Sequence, residues 1–381
     1  IPLVFSSCEM KKESGSSGNT VPAASESTGD RGYQKMRDIS ASELVKELKI
    51  GWCLGNTLES TIGRTDGAIS DYETGWGNSA TTEEMIKGVA DAGFNVLRLP
   101  VSWGEHLSDD GNYTISEEWL DRVNEVVDYG IDNGLTVILN THHESWLYPD
   151  YAHLEQNKEQ LAKIWTQIGN RFEGYNEKLI FEGLNEPRKI NTPYEWNGGD
   201  DEGQDAVNQL NMTFVSTIRS LGGNNPMRHL VIPAYAASPE PRALDALKLP
   251  ENDDKIIVSV HAYLPYNFAL ANPGTAEWDE NDPACTNAIS DLMELLKVMF
   301  VDKGTPVIIS EMGAVNRNNP EARAKWAEFY IRTAHQAGIP CMWWDNGAYL
   351  GNGQLFGLYI RKSGKWIFSD VVDGMMRGLE D

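Results

Sequence analysis

Leu179-Ile180-Phe181-Glu182-Gly183-Leu184-Asn185-Glu186-Pro187 is an apolar run of strand length that breaks at a glycine and a proline and carries carboxylates to its end. Pro306-Val307-Ile308-Ile309-Ser310-Glu311 repeats the pattern further along the chain. Near-continuous apolar runs are what a parallel strand buried on both faces requires. A charged group at the C-terminal end of such a strand belongs to a site rather than to the core. Glu186 and Glu311 are too distant in sequence for any local element to join them, so their meeting requires a fold.

Outward from these two runs, short apolar stretches alternate with helical patterns. The alternation predicts strands near 49–54, 94–99, 135–140, 178–184, 229–233, 256–260, 306–310 and 339–344. Helices are predicted at 82–92, 116–133, 155–173, 201–221, 284–302 and 319–337, with a shorter one at 240–247. Thr81 or Thr82 before Glu83-Glu84, Ser116 before Glu117-Glu118 and Pro320 after Asn319 are helix-start signals. Ala92-Gly93-Phe94 and Ala337-Gly338-Ile339 place a glycine between helix and next strand. Eight strand-helix units predict an α/β fold of the (β/α)8 TIM-barrel type, a single catalytic domain over 39–381. A doubly wound open sheet is the alternative, but no glycine-rich phosphate loop follows the first strand.

The chain has 381 residues, 32 basic and 56 acidic, for a formal charge of −24. That balance argues against nucleic acid and anionic membranes and permits a neutral ligand. Its 12 tryptophans include several near strand ends, where flat rings can stack on sugars. Ile1-Pro2-Leu3-Val4-Phe5 is too short to span a bilayer and reads as the remnant of a signal peptide. Phe5-Ser6-Ser7-Cys8 is similar to a bacterial lipobox, so residues 1–8 are expected to end in a lipid-anchored Cys8 and residues 9–38, rich in Ser and Gly, to form a tether. The expected location is outside the cytoplasm, as a lipoprotein at the outer membrane or cell surface, or secreted or periplasmic. Cys53, Cys285 and Cys341 show no metal-binding spacing and read as free thiols, with a Cys53–Cys341 bridge open to a closed barrel.

Polar groups gather at the strand ends. The first strand runs into Gly55-Asn56-Thr57-Leu58-Glu59, the second into Arg98, the third into Asn140-Thr141-His142-His143-Glu144 and the fourth into Asn185-Glu186. The sixth ends at His261-Ala262-Tyr263, the seventh at Glu311 and the eighth at Trp343-Trp344-Asp345-Asn346. Each has a plain structural alternative: Arg98 as an ion-pair partner, Asn185-Glu186-Pro187 as a turn, His142-His143 as half a metal site. Taken together on one face of a barrel, they point to hydrolysis of a glycosidic bond, which needs a pair of carboxyl groups.

In this ordered set the chain resembles glycoside hydrolase family 5. Arg98, His142, Asn185, Glu186, His261, Tyr263, Glu311 and Trp344 match the family's invariant positions, and Asn56, the doubled His142-His143 and Trp344-Asp345-Asn346 are similar to its subfamily 4. The resemblance implies a retaining endo-β-1,4-glucanase with Glu311 as nucleophile and Glu186 as acid/base. Xyloglucan-specific cleavage is the near alternative, and mannan or xylan cleavage a further one. Arg98 and Tyr263 are expected to keep Glu311 ionised, and its charge to keep Glu186 protonated. His142, His143 and His261 are expected to orient sugar and carboxylates, Trp344 to floor the reacting subsite, and Trp146, Trp196 and Trp278 to serve outer subsites. No cofactor and no metal are called for, and a monomer acting on a polysaccharide is expected. A surface protein that only captures glycan is the reading from another class, which the pair of glutamates disfavours.

Overall fold

The structure is a computed structural model that describes residues 33–380. Eight strands, β1 Ile50–Leu54, β2 Val96–Leu99, β3 Thr136–Asn140, β4 Leu179–Glu182, β5 Leu230–Pro233, β6 Ile256–His261, β7 Val307–Met312 and β8 Cys341–Asp345, pair in chain order. β8 returns to β1 in parallel register, so the sheet closes into a (β/α)8 barrel and the open-sheet alternative falls. The helices are α1 Ala41–Val45, α2 Ile69–Glu73, α3 Glu83–Asp91, α4 Glu117–Asp132, α5 Leu154–Arg171, α6 Asp201–Ser220, α7 Pro241–Ala246, α8 Tyr266–Ala269, α9 Pro283–Met299, α10 Pro320–Gln336 and α11 Ser369–Arg377. Predicted strands and long helices agree with these bounds to within one to three residues; α1, α2, α8, α11 and a small hairpin of β9 (Tyr359–Ile360) and β10 (Lys365–Trp366) are additions to the predicted set.

Local chemistry fixes the helix ends. The side chain of Thr82 accepts the Met85 amide at 3.3 Å, and that of Asp200 accepts the Gly203 amide at 2.9 Å. Ser116 makes no such bond, so α4 starts without a side-chain cap. Gly93 and Gly338 close α3 and α10 with φ of 101° and 73°, where a side chain would be strained.

Strand alternation sorts residues into two cores. Cys53, Val96, Ile138, Ile180, Val231, Ile257, Ile308 and Met342 fill the barrel interior, while the intervening residues pack outward under the helices. Leu44, Val45 and Leu48 join the interior cluster, so α1 stoppers the barrel below. Tyr33, Met36 and Arg37, placed in the tether by composition, are part of this body. Tyr33 donates to Asn224 at 2.6 Å, Met36 is buried, and Arg37 pairs with Glu177 at 2.5 Å. These anchoring side chains correct the boundary at 38. Residues 1–32, with Cys8, lie outside the described residues. Cys53 points inward and Cys341 outward, each against a backbone carbonyl, so the two do not bridge.

Candidate active site

Two residues beyond the apolar layer, the same alternation turns polar side chains inward. Arg98 follows Val96, Asn140 follows Ile138, Glu182 follows Ile180, Ser259 follows Ile257 and Ser310 follows Ile308. All five are buried, so each must find partners inside the barrel. Arg98 donates from Nε to Glu182 at 2.8 Å, from Nη1 to Glu311 at 2.7 Å and from Nη2 to Asn185 at 2.7 Å. Asn140 and Ser259 donate to Glu182 at 3.0 and 3.1 Å. Arg98 is thus a fork whose tines set the positions of three groups at the ends of β4 and β7.

Glu311 reaches the cleft through an irregularity. Val260 on β6 pairs with Ile309, but His261 pairs with Glu311, which leaves Ser310 as one extra residue on β7. This bulge lets Ser310 and Glu311 both face the barrel axis, which strict alternation forbids. Glu311 then accepts from Tyr263 at 2.9 Å as well as from Arg98. Glu186 lies in the loop after β4, with its Oε1 2.8 Å from His261 Nδ1, and the same nitrogen is 3.4 Å from Glu311 Oε2. One carboxylate oxygen of each glutamate and this nitrogen lie within 4.8 Å of one another. The hydrogen bonds account for that spacing, and neither His142 nor His143 belongs to the group.

Burial by itself would make Arg98 easier to deprotonate, yet the flanking Glu182 and Glu311 hold its guanidinium well above the ordinary value. Burial, reinforced by the Glu311 charge, pushes the Tyr263 phenol well above its usual range, so Tyr263 remains a donor. Burial, followed by the charges of His143 and Arg98, keeps His142 well below the usual imidazole value and therefore neutral. For Glu186, burial favours the acid, but the hydrogen bond and charge of His261, with Arg188, outweigh it and hold the carboxyl below its usual range. After burial, His261 is the group that acts most strongly on the Glu186 carboxyl, through the contact at 2.8 Å.

The cleft around these groups measures about 600 Å³ and is lined by Asn56, Trp76, His142, His143, Asn185, Tyr263, Trp344 and Trp196 among others. Trp344 faces it, its ring parallel to that of His142 at 5.7 Å, whereas Trp343 is buried outside the barrel and donates to the Phe356 carbonyl. A side chain at position 55 would stand 2.9 Å from the Trp344 ring, so Gly55 lets β1 pass beneath it. Asn56 takes a left-handed φ of 55°, fixed by Glu59, which accepts the amides of Asn56 and Thr57. Trp196 is 57% exposed at the cleft edge. Trp146 is tied by its Nε1 to Glu144 at 2.6 Å beside the cleft. Trp278 is a correction: it is 8% exposed, packed against Phe268 and Phe329, and lines a different recess. Both neighbours lean on it at a tilt, and its burial leaves no open ring for a sugar.

Two cleft residues, Trp76 and Arg188, and the buried Glu182 beneath them escaped the sequence reading. Trp76, 40% exposed, donates to the Thr61 carbonyl at 3.1 Å and leans on His143; its setting between Gly75 and Gly77 in the loop after β1 was the available signal. Glu182 was readable from its alternation with Ile180. Arg188, next to the Asn185-Glu186-Pro187 turn, donates to the Glu186 carbonyl at 3.0 Å and lies 3.3 Å from its Oε2.

Comparison with known proteins matches residues 60–350 to the model of the cellulase family, glycosyl hydrolase family 5. An endoglucanase B of Neocallimastix patriciarum is 46% identical over 355 residues, covering 91% of this chain and 74% of the relative. The solved GH5-4 broad-specificity endoglucanase of Ruminococcus champanellensis with bound cellotriose superposes with a TM-score of 0.87 at 43% identity, over 90% of this chain and all of that one. A xyloglucan-specific endo-β-1,4-glucanase from a metagenomic library, solved with cellotriose, gives 0.84 at 40% identity, over 88% of this chain and 98% of that one.

Proposed function

The chain belongs to glycosyl hydrolase family 5 and is a retaining endo-β-1,4-glucanase, and we propose that Glu311 is its nucleophile and Glu186 its acid/base. The observation that carries the pairing is the separation within 4.8 Å between an oxygen of each carboxylate, and the donors Arg98 and Tyr263 on Glu311 mark it as the nucleophile. Retaining enzymes need about 5 Å, whereas inverting ones leave roughly 6.5 Å or more for a water. In the first step Glu311 attacks the anomeric carbon while the glycosidic C–O bond breaks and Glu186 gives its proton to the leaving oxygen. In the second, Glu186 takes a proton from water as its oxygen attacks the same carbon and Glu311 departs. Asn185, whose carbonyl oxygen is held by Arg98, keeps its amide N–H groups for the 2-hydroxyl of the reacting sugar. Trp344 forms the floor of that subsite, and His142 and His143 line its wall.

The polymers this reading ranks first are cellulose-like and mixed-linkage β-glucans. Xyloglucan is the second reading, supported by the specificity named for the 40% identical relative and by a cleft whose lining tryptophans, Trp76 and Trp196, are both exposed. Parallel release of reducing ends from carboxymethylcellulose, barley β-glucan, xyloglucan, mannan and xylan tests the ranking; faster release from mannan or xylan would overturn it. Cys8, preceded by Phe5-Ser6-Ser7, is proposed to be lipidated, with the Ser/Gly-rich stretch as tether to a monomeric enzyme at the cell surface. Radiolabelled palmitate incorporation that is lost in Cys8→Ser tests this, and a wild type that takes up no label would contradict it.

A further inference from the structure

Arg188 is used by none of the steps above, yet it sits at the boundary between the main cleft and a smaller recess of about 230 Å³ lined by His143, Glu144, Leu147 and Ile190 among others. Its guanidinium is engaged on three sides. Nη1 donates to the Glu186 carbonyl at 3.0 Å and faces Glu186 Oε2 at 3.3 Å; Nε donates to Glu195 at 3.2 Å; and Cζ lies over the Trp196 ring, 4.2 Å from its centre. Glu195 in turn accepts the Asn191 amide at 2.9 Å, which closes the loop that carries Trp196. One face of Trp196 is thus taken by the cation, and more than half of the side chain remains open to the cleft.

We infer that Arg188 is a positioning residue for Glu186 and couples it to occupancy of the Trp196 platform. A sugar ring stacked on the open face of Trp196 confines the indole against the guanidinium, and the confined guanidinium keeps Nη1 on the Glu186 carboxylate. The cation stabilises the charge that Glu186 acquires as its proton leaves for the glycosidic oxygen. Substrates long enough to reach Trp196 therefore meet a better-prepared acid than short ones do. The inference rests on Glu186 as acid/base. The other charged or titratable groups that face Glu186 are His261 and Tyr263 from the end of β6, His143 from the loop after β3 and Glu311 from β7, and the variants below leave them in place.

The test is the pH dependence of kcat/KM on cellohexaose and on an aryl cellobioside too short to reach Trp196, for the wild type, Arg188→Met, Arg188→Lys, Trp196→Ala and the Arg188→Met/Trp196→Ala double variant. Without the cation Glu186 holds its proton more tightly, so Arg188→Met moves the alkaline limb on cellohexaose up by about half a pH unit or more. Arg188→Lys, which keeps the charge, restores most of that displacement. Trp196→Ala moves the limb the same way by less, and the double variant adds nothing to Arg188→Met. A Trp196→Ala variant that raises KM with its limb unmoved, or an Arg188→Met limb that stays with the wild type, overturns the coupling. Glu186→Gln in the same series separates the two levels: if it retains turnover of cellohexaose the acid/base reading itself is wrong, whereas its inactivity beside unmoved limbs removes only the role of Arg188.

Discussion

His261 Nδ1 stands 2.8 Å from Glu186 Oε1, and the same nitrogen is 3.4 Å from Glu311 Oε2. One imidazole therefore stands between the two carboxylates, hydrogen-bonded to Glu186, while Arg98 and Tyr263 hold Glu311. Burial and the His261 hydrogen bond act on the Glu186 carboxyl in opposite directions, and the hydrogen bond prevails.

Glu186→Gln keeps the shape of the site and removes the proton. Turnover of β-glucan, whose leaving group is a poor one, should fall by about 10²- to 10⁴-fold. Cleavage of an activated aryl glycoside, measured by burst and steady-state release of the phenol, should keep its first step nearly intact. Equal losses on both substrates would contradict the acid role.

Arg98→Met removes the charge that Glu182 and Glu311 share inside the barrel. Two buried carboxylates are then left without their cation, and the unfolding free energy from urea denaturation should drop by about 3–5 kcal/mol. A loss below ~1 kcal/mol would mean that the network in the barrel mouth is not held by this ion pair.

Trp196 and Trp278 should separate binding from packing. Trp196→Ala removes an exposed platform, and the loss of ~0.5–1.5 kcal/mol of stacking should raise KM up to about tenfold with little change in unfolding. Trp278→Ala empties a packed recess, and about 3–5 kcal/mol of stability should go while KM on β-glucan stays. The reverse pattern would return Trp278 to the substrate path.

Glu144 is buried and accepts the Trp103 amide and the Trp146 indole, and burial pushes its carboxyl up to about 7. In the unfolded chain the group loses its proton near its ordinary value of about 4.5. Between these values the folded state binds more protons, so the contribution of Glu144 to stability falls as pH rises. The unfolding free energy of the wild type minus that of Glu144→Gln should therefore decrease from about pH 4.5 to about pH 7, and a flat difference would contradict it.

What the sequence discloses of this site follows from regularity. Inward residues recur at every second position, so Val96 announces Arg98, Ile138 announces Asn140 and Met342 announces Trp344, and eight repeats of one unit disclose the barrel. Where regularity breaks, legibility ends. The extra residue at Ser310 that turns Glu311 inward follows from pairing between β6 and β7, which no periodicity within β7 records. Trp76, Trp196 and Trp278 all sit in loops, and only tertiary packing decides that the first two stand open while the third is walled in by Phe268 and Phe329. The proximity of His261 to Glu186 joins two strand ends across the mouth, which strand order alone could place on one face but not at 2.8 Å.

The central claim, that Glu311 attacks the sugar, is tested most directly by incubating the enzyme with an activated 2-deoxy-2-fluoro-β-cellobioside and mapping the adduct by peptide mass spectrometry. The account predicts a fluorocellobiosyl group on the peptide that contains Glu311, absent in Glu311→Ala, whose own turnover should be lower by about 10⁴-fold or more. An adduct on Glu186, or turnover without any adduct and with the α-anomer as first product, would contradict it.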